Sequence, residues 1–185
     1  MIRVAAAGVN YADIARRYDR YLERTPFPGE SVLINAAAGG VGTLTIEMAR
    51  LMGAGIVIAA VGSDDKTELL RSLGADAIIN YSTEDLTEWV RVLTGGKGAD
   101  VILEPVGGEV FNRSLAALAL FGRIATFGQA SGQPGAVDTV RLMQQNASLV
   151  GFWLAVLPAR MIGEGVQAMA DWLADGRLRI VVGAT

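Results

Sequence analysis

The chain has 185 residues, 51% of them hydrophobic and 19% charged, enough for one ordinary globular domain and too apolar for wholesale disorder. Sixteen basic residues against nineteen acidic ones give a net charge of −3, so neither nucleic-acid binding nor an anionic membrane surface is expected. With no Cys and no His, the sequence lacks disulfides, cysteine nucleophiles, the usual zinc ligands and histidine acid–base chemistry, and no metal site is expected.

Residues 11–24 (YADIARRYDRYLER) set Tyr11, Ile14, Ala15, Tyr18 and Leu22 at helical spacing between arginines, which predicts an amphipathic helix. Pro26 and Pro28 end it. From Gly29 onward, short apolar runs alternate with helical stretches. Strands are expected at 32–35, 56–61, 77–80, 101–104 and 123–127, and helices at 41–52, 66–73, 84–93 and 109–120. Gly53, Gly74 and Gly122 stand just past predicted helices, where a positive φ costs glycine little. Strands that are apolar throughout, separated by helices, imply a parallel sheet covered on both faces. Right-handed crossovers then make an α/β doubly wound sheet of the Rossmann type. A Gly/Ser-rich loop follows at 129–138, then a helix at 139–146, an apolar run at 149–157, a helix at 159–174 and a last strand at 178–182. The expected organisation is a short helical segment over 1–28 and a dinucleotide-binding domain over 29–185. No apolar run reaches transmembrane length and no signal-peptide pattern opens the chain, so a cytoplasmic location without membrane contact is expected.

The strongest local signal is VLINAAAGGVG, residues 32–42, leading straight into a helix. Against the pattern GxGxxG, Ala37 takes the first glycine position, Gly39 the second and Gly42 the third. Gly39 lets backbone approach a pyrophosphate, Gly42 permits close helix–strand packing, and the amides of Ala38, Gly39, Gly40 and Val41 would meet the negative charge. Ala37 requires a negative φ there, because its Cβ penalises positive values. A tight turn without a ligand is the plainer alternative, but the strand–turn–helix context favours a dinucleotide site.

An acidic residue at the end of the second strand would select NAD through the ribose 2′-hydroxyl. Here that strand runs out in Val61-Gly62-Ser63, with no acid at the turn and Lys66 three residues on. Ser63 and Lys66 therefore point to a 2′-phosphate and to NADPH over NADH, while Asp64 and Asp65 pull the other way. Lys66 also reads as a solvated residue in the first turn of a helix, although a cation there opposes the helix dipole.

The stretches VLINAAAGGVGTLTIEMARLMGA, VGSDDK, LGADAIINY, GADVILEPVGG, FGRIATFGQASG and the 149–157 run resemble, in that order, the cofactor domain of the quinone oxidoreductases. These form the zinc-free, zeta-crystallin-like branch of the medium-chain dehydrogenase/reductase superfamily. The resemblance implies NADPH as cofactor and hydride transfer to a small quinone or another activated alkene. It implies that Gly62, Ser63, Lys66 and Tyr81 surround the 2′-phosphate, that Phe127 and Gly128 open the loop past the nicotinamide, and that Phe152 and Trp153 border its pocket. Tyr81 also reads as a strand-end aromatic packed on the sheet, and core packing accounts equally for Phe152 and Trp153. Residues 5–28 resemble part of the same family's catalytic domain. There the resemblance implies that Asn10 and Tyr21 orient the substrate, with Asp19 standing where the family commonly has Gly. Because most of that domain has no counterpart here, the chain reads as a cofactor domain with a short remnant of the catalytic one. Two functions follow: an NADPH-dependent reductase, or a nucleotide-binding, dimerising module without turnover. The resemblance also implies a homodimer, expected through the predicted edge strand 178–182.

Overall fold

The computed structural model describes residues 28–181; the helix predicted at 11–24, Asn10, Tyr21 and Val182 lie outside these described residues. The chain order is β1 (Ser31–Asn35), α1 (Gly40–Leu51), β2 (Ile56–Val61), α2 (Thr67–Ser72), β3 (Ala77–Asn80), α3 (Leu86–Leu93) and β4 (Ala99–Glu104). It continues with α4 (Gly108–Ala116), β5 (Leu118–Thr126), α5 (Thr139–Gln145), β6 (Ser148–Gly151), a 3₁₀ turn (Leu154–Val156) and α6 (Ala159–Ala174). All strand pairs are parallel and the order across the sheet is β3-β2-β1-β4-β5-β6. The order reverses between β1 and β4, so a crevice opens where the chain leaves those two strands. Among the described residues no helix is long and apolar enough to cross a membrane.

Alternation along the strands sorts the core into two layers. Val32, Ile34, Val57, Ala59, Val101 and Leu103 pack with Ile46 and Met48 of α1, Leu70 of α2 and Met161 of α6. Leu33, Ile58, Ile79 and Ile102 pack on the other face with Val90 of α3, and Phe111 and Leu115 of α4. Both layers are buried, which is why these strands are apolar without alternation. The sequence repeats Gly-Ala-Asp at 74–76 and 98–100, and each aspartate caps the start of the neighbouring strand. Asp76 Oδ2 accepts the Val57 amide at 2.7 Å, and Asp100 Oδ2 accepts the Ser31 amide at 2.8 Å. The two motifs thus satisfy donors that a sheet end would leave bare.

Three expectations are corrected. The helix expected at 109–120 stops at Ala116, because the Ala117 carbonyl accepts the Ala99 amide of β4 at 2.9 Å and draws the chain into the sheet. Gly98 makes this approach possible, since a Cβ there would lie 2.5 Å from the Ala117 carbonyl oxygen. The register then jumps from Ala99↔Leu118 to Val101↔Arg123, so β5 bulges outward and exposes Leu120 and Phe121. Second, the left-handed residue of this bulge is Phe121, with φ 59°, and not Gly122. Third, residues 178–181 of the expected last strand form no strand. Gly176 turns the chain at φ 68°, Leu178 buries against the α1 side of the sheet, and the Arg179 amide and Nε bond Glu47 at 2.8 and 2.7 Å. The sheet edge beside β5 is β6 instead.

Candidate functional site

Because every strand is parallel, the segments that leave β1, β2, β3, β4, β5 and β6 all emerge along one rim of the sheet. At its centre is the β1–α1 turn. Ala36 takes a left-handed φ of 50°, whereas Ala37, in the first glycine position, is fully buried and does not have a positive φ. Ala37 thus has the φ its Cβ requires, and the positive φ of the turn falls one residue earlier. A Cβ on Gly42 would sit 2.5 Å from Ala37 Cα, so this position admits only glycine for packing reasons. Gly39 and Gly40 differ: a Cβ on Gly39 meets only the Ala36 carbonyl oxygen at 3.2 Å, and one on Gly40 meets nothing within 4 Å. The open side of the turn is free space at the N-terminus of α1, with Gly39 as its N-cap and no side chain bonded to the first amides. Free amides, the helix dipole and a cradle that a Cβ would fill fit a pyrophosphate group.

The end of β2 lies beside this turn. Lys66 Nζ donates to the Ala38 carbonyl at 3.3 Å, joining the start of α2 to the glycine turn. Ser63 Oγ, expected to face a phosphate, donates to Asp65 Oδ2 at 3.0 Å. Tyr81, just past β3, packs its hydroxyl against Gly62, where a Cβ would come within 3.3 Å. Burial raises the Tyr81 pKa, with the Glu104 charge adding to it, so the phenol stays neutral at physiological pH. Gly62, Ser63, Lys66 and Tyr81 therefore come together with Ala38, Gly39, Gly40, Val41 and Gly42 around one end of the crevice.

The other end is built by the loops after β4, β5 and β6. Phe127 is half-buried against the core while Gly128 is exposed, and the Phe127 amide bonds the Glu104 carbonyl at 3.1 Å. Phe152 is half-buried, and its amide bonds the Thr126 carbonyl at 2.9 Å. Trp153 is 71% exposed, so core packing does not account for it.

Glu104 belongs to this rim although no motif singles it out. It ends β4 with 0% exposure, and its Oε1 accepts the amides of Val106 at 2.7 Å and Gly107 at 3.0 Å. Burial raises its pKa, and the two amide bonds pull it partly back. On β1, one position past the registered pair Ile34↔Leu103, Asn35 is also buried, and its Nδ2 donates to Ser114 Oγ at 2.7 Å. The available signal was an acid closing the apolar run VIL just before Pro-Val-Gly-Gly.

Comparison with known proteins places this rim in context. Residues 40–174 match the family described as zinc-binding dehydrogenase. The chain is 35% identical over 186 residues to 2-haloacrylate reductase of a Burkholderia species, covering 98% of this chain and 56% of that protein. It superposes on quinone oxidoreductase from Pseudomonas syringae pv. tomato with a TM-score of 0.79 and 32% identity, covering 98% of this chain and 54% of that one. With Escherichia coli quinone oxidoreductase, solved in complex with NADPH, the TM-score is 0.76 and the identity 29%, over 95% of this chain and 54% of that one. The chain belongs to the quinone oxidoreductase branch of the medium-chain dehydrogenase/reductases.

Within this quinone oxidoreductase-type chain, zinc chemistry has no obvious donors despite the family's description: the sequence has neither Cys nor His. Among the described residues no group of three or more Asp or Glu side chains is placed to hold a metal ion. The chain spans about half the length of the relatives it matches. The Rossmann sheet and its rim are the half described above.

Proposed function

We propose that the chain is the cofactor-binding part of an NADPH-dependent reductase that delivers hydride to a quinone or another activated alkene. The observation that carries this reading is the Lys66–Ala38 contact. It holds the cation at the mouth of an open glycine turn, where the end of β2 offers no acid to a ribose. In this reading Gly39, whose own amide bonds the Ala36 carbonyl at 3.0 Å, lets the backbone approach the pyrophosphate, the amides of Ala38, Gly40 and Val41 hold it, and Gly62, Ser63, Lys66 and Tyr81 enclose the 2′-phosphate. Phe127, Gly128, Phe152 and Trp153 flank the nicotinamide. When bound, NADPH supplies the hydride. The protein orients the ring and keeps water from it, and a reduced quinone oxygen takes its proton from solvent, so no acidic side chain is required.

Residues 1–28 belong to this proposal as a piece of the substrate-binding part, with Asn10 and Tyr21 orienting the acceptor carbonyl; residues 29–185 form the cofactor domain. A cytoplasmic location goes with it. A second reading is a nucleotide-binding module without turnover, because the described residues form one side of a cleft that usually lies between two domains. Titration with NADPH and NADH, followed by a quinone-reduction assay, tests both. Tighter NADPH binding with hydride transfer supports the first reading; binding without transfer supports the second. Failure to bind either cofactor overturns both.

We further infer a homodimer through β6. Its outer edge is unpaired among the described residues, and Val140, Met143, Trp153, Leu154 and Val156 are exposed on α5 and in the segment that follows β6. An unpaired edge flanked by apolar side chains suits antiparallel pairing with a second copy across a two-fold axis.

A further inference from the structure

Glu104 is a fully buried carboxylate that forms no ion pair among the described residues. Burying an ionisable acid without a counter-charge is costly, and two amides alone could be capped by a neutral side chain. Its surroundings show what the carboxylate holds. Oε1 accepts from Val106 and Gly107, and Oε2 accepts from Gly107 again at 3.2 Å, which fixes the β4–α4 turn. That turn is fastened to the loop after β5. The Pro105 carbonyl accepts the Ala130 amide at 3.0 Å, the Val106 carbonyl accepts the Ser131 amide at 2.8 Å, and the Gly108 amide donates to Gln133 at 2.9 Å. Glycines make the approach possible: a Cβ on Gly107 would lie 2.4 Å from the Gln133 carbonyl oxygen, and one on Gly128 would lie 2.7 Å from that of Pro105.

We propose that Glu104 is a positioning residue for the nicotinamide half of the cofactor. Its carboxylate sets the 105–108 turn, and that turn sets the 127–133 loop. The inference rests on the cofactor reading above and adds to it a residue that touches neither cofactor nor substrate. The turns after β1 and β2, which hold the adenosine half, make no hydrogen bond to this brace among the described residues.

The test compares two ligands on the full chain: NADPH, and adenosine 2′,5′-bisphosphate, which lacks the nicotinamide half. Glu104→Gln replaces one acceptor oxygen by an NH₂ that faces the Gly107 amide. It should weaken NADPH about tenfold while leaving the bisphosphate within about twofold, and it should speed amide hydrogen exchange at Ala130 and Ser131. Glu104→Asp should restore both, because an aspartate in a turn reaches the amide two residues on. Gly107→Ala places a Cβ 2.4 Å from the Gln133 carbonyl oxygen, parts the turn from the loop at a residue that touches no cofactor, and should reproduce the selective NADPH loss, even if Glu104→Gln fails to fold. Equal weakening of both ligands, or unchanged exchange at Ala130 and Ser131, overturns the inference. A wild-type chain that binds neither ligand overturns the cofactor reading and this inference with it.

Discussion

Lys66 Nζ lies 3.3 Å from the Ala38 carbonyl oxygen, a side chain at the start of α2 bonded to backbone 28 residues earlier in the glycine turn. The contact is exposed, so on its own it adds little stability. It keeps the ammonium beside the place where a 2′-phosphate would enter. Lys66→Ala should therefore weaken NADPH by roughly tenfold to a hundredfold, the range of one charge-assisted hydrogen bond, and leave NADH almost unchanged. Fluorescence titration with both cofactors measures this. An equal loss for the two would remove Lys66 from the phosphate site.

The two outer glycines of the turn should fail in different ways. Gly42→Ala puts a Cβ 2.5 Å from Ala37 Cα, and overpacking of that kind costs about 1–3 kcal/mol. Its melting temperature should fall by several degrees, and dinucleotide binding should fall with it. Gly39→Val meets only the Ala36 carbonyl oxygen within the chain, at 3.2 Å, so the fold should persist while the side chain blocks the pyrophosphate. Thermal unfolding paired with NADPH titration separates the cases. A folded Gly39→Val variant with wild-type affinity would mean that the turn is structural only.

The contrast between these glycines shows why the sequence could be read so far. Buried parallel strands are continuous apolar runs, so β1 to β4 lie within a residue or two of their expected places, and the turn after β1 keeps its glycine spacing. Where local pattern competes with a distant partner, the reading fails. Residues 118–120 are helix-compatible, yet Ala99 captures the Ala117 carbonyl and the chain joins the sheet. Residues 178–181 are β-like, yet Glu47 on α1 takes the Arg179 amide that a strand would need. Glu104 is hard to read from sequence for a related reason. Its burial and its two amide donors follow from the β4–α4 turn folding back over the strand end, which no spacing in the sequence announces.

Glu104 should also leave a signature in the pH dependence of stability. Burial raises its pKa in the folded chain, so ionisation is harder in the native state than in the unfolded one. The stabilisation it gives when protonated is complete below the ordinary carboxylate pKa of about 4.3 and is lost as pH rises through the raised value. The stability of wild type relative to Glu104→Gln should thus fall as pH increases upward from about 4, while effects of the other carboxylates cancel in the difference. Denaturant unfolding of both proteins at several pH values measures it. A difference that grows with pH would show that the amides of Val106 and Gly107 outweigh burial.

The position of β6 fixes how the proposed dimer should be broken. The Phe152 amide points toward β5, where it bonds the Thr126 carbonyl at 2.9 Å. By the two-residue alternation of a strand, the amides of Leu149 and Gly151 face away from β5. Gly151→Pro removes one of these outward donors without touching the β5–β6 ladder, and a side chain there meets nothing within 4 Å. The variant should keep its circular dichroism and run as a monomer in light scattering, where wild type runs as a dimer. Ile180, within the edge strand expected at 178–182, is exposed in a segment held by Glu47 and lies outside the sheet. Ile180→Glu should therefore leave the dimer intact. A monomeric wild-type chain at high concentration, or dissociation by Ile180→Glu but not by Gly151→Pro, would rule out pairing through β6.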